Sequence, residues 1–113
     1  MALASILICE ADPDVRRLLT VLMERLGHEA VTLDRHVEAP PRGDLLLLEP
    51  QAPWCVEQAR LVRGAFPEIP IVCMGQIPGG TGFLDSGVVA LLEKPFTVNA
   101  LETAVSALTP SPV

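Results

Sequence analysis

Five short apolar runs punctuate the chain: "ILIC" at 6–9, "AVTL" at 30–33, "LLLL" at 45–48, "IVCM" at 71–74 and "VVALL" at 88–92. Each has the length of a strand, and four of the five lack the period-two alternation of a strand wetted on one face. Runs that are apolar on both faces are what a parallel sheet covered by helices on both sides requires. Between and after them, three stretches read as helices. Asp12-Pro13 offers an N-cap followed by proline at the first helical position, with Asp14 placing charge where the helix dipole favours it. Val15, Leu18, Leu19, Leu22 and Leu26 then form an apolar stripe, and Gly27 suits the left-handed residue that ends a helix. A second helix runs roughly from Trp54 to Ala65, after Pro53 and before "GAFPE". In the third, Thr97 caps a face of Val98, Leu101, Val105 and Leu108, with Phe96 placed to staple against Leu101.

Two connections break the helical pattern. "DRHVEAPPRG" (34–43) holds two adjacent prolines, and "GQIPGGTG" (75–82) holds four glycines and a proline. Each glycine costs a helix about 1 kcal/mol and each proline about 3 relative to alanine, so no more than a turn is expected in either place. Strand and helix still alternate, which is the pattern of a doubly wound α/β sheet.

Composition narrows the reading further. The 113 residues suit one domain, half hydrophobic and 19% charged, which is the profile of a folded globular unit. No apolar run approaches the ~20 residues that cross a bilayer, and the N-terminal segment has no basic leader or cleavage site. The expected compartment is the cytoplasm, without membrane attachment. A net charge of −6 argues against nucleic-acid binding by this domain. Cys9, Cys55 and Cys73 lack CxxC spacing, so neither a disulfide framework nor a zinc site is suggested. Cys9 and Cys73 sit in apolar runs as small core residues, whereas Cys55, beside Trp54 after a turn, is expected to be the more exposed.

In doubly wound sheets the carboxyl ends of the strands open on one crevice. Glu10 and Asp12 follow the first apolar run, Glu49 the third, and Glu93 and Lys94 the fifth. Of eight basic residues Lys94 is the only lysine. Its ammonium either pairs with Glu49 or Glu10 across the crevice or stays solvated at the start of a loop.

"ILICEADPDVRRLL", "DLLLLEP", "PIVCM" and "LLEKPF", in this order, resemble the receiver domain of bacterial response regulators over nearly the whole chain. The resemblance implies a flavodoxin-like five-stranded parallel sheet in the order 2-1-3-4-5 spanning residues 1–109, with 110–113 as a linker or tail. The two Pro/Gly-rich connections fall where the family's second and fourth helices stand, so those are expected to be shortened or missing. A working receiver of that family takes a phosphoryl group onto an aspartate after its third strand, beside a divalent metal held by acids after its first. A hydroxyl after strand four and a lysine before proline complete the site.

Matched by position, Glu10 stands at the first acid of the pair and Ala11 at the second, which normally touches the metal. Glu49 stands at the phospho-acceptor, Gly75 at the switch hydroxyl and Leu91 at the switch aromatic. Lys94 and Pro95 match the family's lysine-proline. Glutamate is longer than aspartate by a methylene, and phosphoryl transfer rests almost wholly on positioning and charge neutralisation. Ala11 removes a ligand from a hard-cation site. The reading is an atypical, non-catalytic receiver (a pseudo-receiver) in two-component, phosphorelay-type signalling, without magnesium or other cofactor. Its implied partners are a histidine kinase, an output domain or another regulator, with a weak homodimer also compatible. The 75–87 segment and the last helix are its candidate contact surfaces. Two alternatives stand beside it: a phospho-accepting receiver with an altered magnesium site, and a receiver-like domain whose crevice binds a small molecule.

Overall fold

The computed structural model describes residues 3–75, 89–93 and 95–109. Their elements follow in the order β1 (Ser5–Cys9), α1 (Pro13–Arg25), β2 (Glu29–Thr32), β3 (Leu45–Leu48), α2 (Pro53–Ala65), β4 (Ile71–Met74), β5 (Val89–Leu92) and α3 (Val98–Leu108). All strand pairs are parallel, and the sheet runs β2-β1-β3-β4-β5. The five apolar runs are thus the five strands, shifted by a residue or so at their ends.

The three inner strands are buried on both faces, as their unbroken apolar character demands. Alternation divides their side chains between two layers. Leu7, Cys9, Leu46, Leu48, Ile71 and Cys73 pack with Cys55, Ala59 and Val62 of α2. Ile6, Ile8, Leu45, Leu47, Val72 and Met74 pack with Leu19, Leu22 and Met23 of α1 and Leu101 and Val105 of α3.

The caps are where the sequence places them. Asp12 Oδ1 accepts hydrogen bonds from the backbone N–H groups of Asp14 (2.9 Å) and Val15 (3.3 Å), and Thr97 Oγ1 accepts from that of Ala100 (3.0 Å). Gly27, at φ +90°, ends α1 in the left-handed conformation. The apolar stripes need correcting. Val15 and Leu18 are exposed, and Met23, which the stripe omitted, is fully buried. Leu18 lies about 100° round the helix from Leu19, so it falls on a flank; Val15 belongs to the first turn, at the rim of the sheet. Val98, in the first turn of α3, is exposed for the same reason, while Leu108 and Phe96 pack on the core beside Leu101. At the far end of α2, the buried Arg63 donates from Nη1 to the carbonyls of Pro67 (2.8 Å) and Ile69 (2.7 Å), closing the turn into β4.

No helix forms between β2 and β3. Residues 34–43 cross α2 as an irregular strap, begun by an Asp34 turn in which the His36 N–H donates to Oδ1 (2.8 Å). Gln58 of α2 donates from Nε2 to the Val37 carbonyl (2.9 Å), and the Arg35 guanidinium lies 5.9 Å from the Trp54 ring centroid. The strap ends where Asp44 clasps Ser5: the Ser5 N–H donates to Asp44 Oδ2 (2.8 Å) and the Asp44 N–H to the Ser5 carbonyl (2.7 Å). The missing second helix is therefore as expected. The region of the fourth helix (76–88), Lys94 and the 110–113 tail lie outside the described residues. Among those described, no helix is long and apolar enough to cross a membrane.

Candidate functional site at the carboxyl rim

The strand register assembles the rim. Cys9 pairs with Leu48, Leu48 with Cys73 and Cys73 with Leu91, so the next residues of neighbouring strands emerge together. Glu10 and Glu49 leave adjacent strands in this way, and the Glu49 N–H donates to the Cys9 carbonyl (2.9 Å), extending the ladder into the loop. Both glutamates are buried, at 5% and 4% exposure. The carboxylate that follows four leucines therefore does not reach water, and must be satisfied from within.

Part of that satisfaction is local, and identical in form for the two acids. Glu10 Oε1 accepts from the Asp12 N–H at 3.0 Å, and Glu49 Oε1 accepts from the Gln51 N–H at 3.0 Å. Each carboxylate thus folds back on its own loop two residues ahead. Asp12 is drawn away from the pair, since its carboxylate caps α1 and is exposed. Ala11 is exposed and presents only a methyl.

Sequence reasoning missed Arg16. Its Nη1 donates to the Glu10 carbonyl at 3.2 Å, bringing a guanidinium to the acidic loop from the second turn of α1. The signal was available, because a residue four after an N-cap sits one turn above it, and the Arg16 N–H closes that turn on the Asp12 carbonyl (2.9 Å).

Beneath the acids lie the three cysteines, all fully buried. The expectation that Cys55 is exposed is wrong. Cys55 lies inward, in line with Ala59 and Val62 at helical spacing on the sheet-facing side of α2. Cys9 Sγ donates to the Cys55 carbonyl at 3.7 Å. A hydrogen bond shared with Cys55, reinforced by burial, pushes the Cys9 thiol up, and the same bond pulls Cys55 down. Burial and the charge of Glu49 push Cys73 up to about 11.

The remaining positions fall around this floor. Gly75 follows β4 at φ +121°; there is open space beside its Cα, but the backbone there strains any L side chain. A hydroxyl-bearing residue is therefore disfavoured by conformation as well as absent. The Gly75 carbonyl accepts from Cys73 Sγ at 3.3 Å. Leu91 stands on β5 opposite Cys73 and is 47% exposed. Pro95 is exposed, and Lys94, left between pairing and solvation by the sequence, lies outside the described residues.

Chain topology and strand register now admit comparison with known proteins. No protein-family model matches the chain, and no curated protein sequence does. Solved structures do. The chain matches NtrX from Brucella abortus, crystallised with ADP, at 25% identity and TM-score 0.69, over 96% of this chain and 26% of that one. It matches the receiver domain of the sensor histidine kinase PA1611 from Pseudomonas aeruginosa at 19% identity and TM-score 0.71, over 95% of this chain and 98% of that one. It matches the chemotaxis protein CheY4 from Vibrio cholerae at 20% identity and TM-score 0.76, over 95% and 99%. The fold is that of a response-regulator receiver domain. The chain spans about a quarter (26%) of the NtrX chain that it matches.

The PA1611 receiver carries a magnesium ion in its active-site cleft. The corresponding donor set here is thinner. Glu10 and Glu49 each commit an oxygen to their own loop, Ala11 offers none, and Asp12 is engaged in the helix cap. Among the described residues no group of three His, Cys, Asp or Glu side chains gathers as a metal site. Magnesium takes six oxygens, several of them usually water, with one or two protein carboxylates anchoring it. Two buried carboxylates, Glu10 and Glu49, therefore stand side by side at this rim, each with one oxygen held by its own loop. A cleft of about 430 Å³, lined by Arg42, Gly43, Phe66, Pro67 and Glu68, lies at the opposite, amino-end rim, away from the acids.

Proposed function

We propose that this receiver domain works as a protein-interaction module in two-component signalling without accepting a phosphoryl group and without binding magnesium. The observation that carries the reading is the turned-in pair of glutamates. In-line transfer needs an acceptor oxygen aimed outward and a cation beside it. Glu49 is 4% exposed with Oε1 on the Gln51 amide, and Ala11 on the neighbouring loop supplies no metal-binding oxygen. The backbone at Gly75 supports the same reading, since the hydroxyl that would sense a phosphoryl group is replaced by a left-handed turn. The domain then presents one fixed conformation, and its role is to be recognised. A histidine kinase, an output domain or another regulator is the class of partner the fold suggests, with Glu10 and Glu49 building the rim rather than reacting.

The test is incubation with acetyl phosphate and magnesium, read by intact mass. The expected spectrum shows the unmodified chain alone. A stoichiometric adduct of about 80 Da that disappears in Glu49→Gln would overturn the proposal in favour of a working, altered receiver site.

A further inference from the structure

We propose that Cys9 and Cys55 form a peroxide-oxidisable dithiol, which closes to a disulfide fastening the carboxyl end of β1 to the first turn of α2. The two cysteines come from different elements, 46 residues apart in sequence, yet the Cys9 thiol is directed at Cys55, with Sγ 3.7 Å from its carbonyl. Both side chains belong to the same buried layer between the sheet and α2. Cys55 is the third residue of α2, where the amino end of a helix favours a thiolate. Cys73 is excluded as the partner of Cys9 by the ladder. Leu48 stands between them, so they are two strand spacings apart, roughly 9–10 Å, beyond the ~7 Å that a disulfide tolerates between Cα atoms. Its own thiol is turned to the Gly75 carbonyl.

The chemistry balances with a hydroperoxide as oxidant. The Cys55 thiolate attacks one peroxide oxygen and the O–O bond breaks. The departing hydroxide takes up the proton that Cys55 released and leaves as water. Cys55 is now a sulfenic acid, oxidised by two electrons as the peroxide is reduced. The Cys9 sulfur attacks that sulfur, the S–O bond breaks, and the Cys9 proton leaves with the hydroxyl as a second water. Thiols reverse the link by exchange. Because both side chains are fully buried, peroxide enters only when the first turn of α2 opens, and oxidation is correspondingly slow. The link lies directly under the rim: Cys9 precedes Glu10, and Cys55 belongs to the helix that the Glu49 loop starts.

The experiment treats the whole 113-residue chain with hydrogen peroxide. Free thiols are then blocked with N-ethylmaleimide in denaturant, followed by intact-mass measurement and non-reducing peptide mapping. The expected product carries one maleimide in place of three, with the Cys9 and Cys55 peptides joined, and dithiothreitol restores all three. Cys73→Ser retains the link and Cys55→Ser abolishes it. Three maleimides after peroxide, a link through Cys73, or Cys55 driven to sulfinic acid with Cys9 still alkylated would each overturn the proposal. The wild-type map alone decides the matter should a variant fail to fold.

Discussion

Gly43→Ala is the sharpest single test of how the strap is seated. A Cβ built at Gly43 would stand 2.5 Å from Leu7 Cγ and 2.9 and 3.0 Å from its two methyl carbons. Leu7 has nowhere to retreat: it is fully buried in β1, paired with Val31 on one side and Leu46 on the other. The backbone at Gly43 lies outside the left-handed region, so the cost arises from contact alone. Overpacking of this kind costs about 1–3 kcal/mol. At ~4 °C per kcal/mol for a domain of this size, melting should fall by about 4–12 °C. Leu7→Ala alone should cost about 2–5 kcal/mol through the cavity it leaves. In the double variant the methyl added at position 43 enters that cavity, so the combined loss should fall short of the sum by at least ~0.5 kcal/mol. Urea denaturation followed by circular dichroism measures all four proteins, with an unchanged slope confirming that the folded state is being compared. A midpoint for Gly43→Ala equal to the parent's, or strict additivity in the cycle, would refute the reasoning.

Two further predictions use the same measurement. Asp12→Ala removes the acceptor of the Asp14 and Val15 amides and should cost about 1 kcal/mol, with Asp12→Asn recovering most of it; equal losses in the two variants would remove the cap from the account. Cys73 keeps its proton to about 11 in the fold but only to 9.0 when unfolded. Across that window the folded state holds more protons, so stability present below pH 9 should fall as pH rises to 11, by on the order of 2 kcal/mol. Cys73→Ala should flatten that part of the pH profile, and a profile unchanged by the substitution would contradict the assignment.

Much of this fold was legible because the strands are buried on both faces. A run such as Leu45–Leu48 admits few other homes, and Asp12-Pro13 and Gly27 mark the two ends of α1 by local chemistry. What the pattern could not carry was depth along a helix. Val15 and Val98 have the right spacing but occupy first turns, where sheet side chains run out. Counting Cys55, Ala59 and Val62 at i, i+4 and i+7 would have turned Cys55 inward from sequence alone. Of the site, the placement of Glu10 and Glu49 at one rim followed from the ends of the first and third runs. Their turn back onto the Asp12 and Gln51 amides did not, because a glutamate's rotamer choice leaves no trace in spacing. Arg16 could have been placed one turn above the Asp12 cap by counting four residues, though the bond it makes to the Glu10 carbonyl is seen only in the structure.

The strap across α2 alters how this flank can be read by another molecule. A helix there would offer ridges and grooves, a surface that many different sequences can present and many partners can share. The strap instead displays an irregular main chain stiffened by Pro40 and Pro41, with Arg35 laid towards Trp54. The outline of this flank is therefore set by one main-chain path rather than by the ridges of a helix.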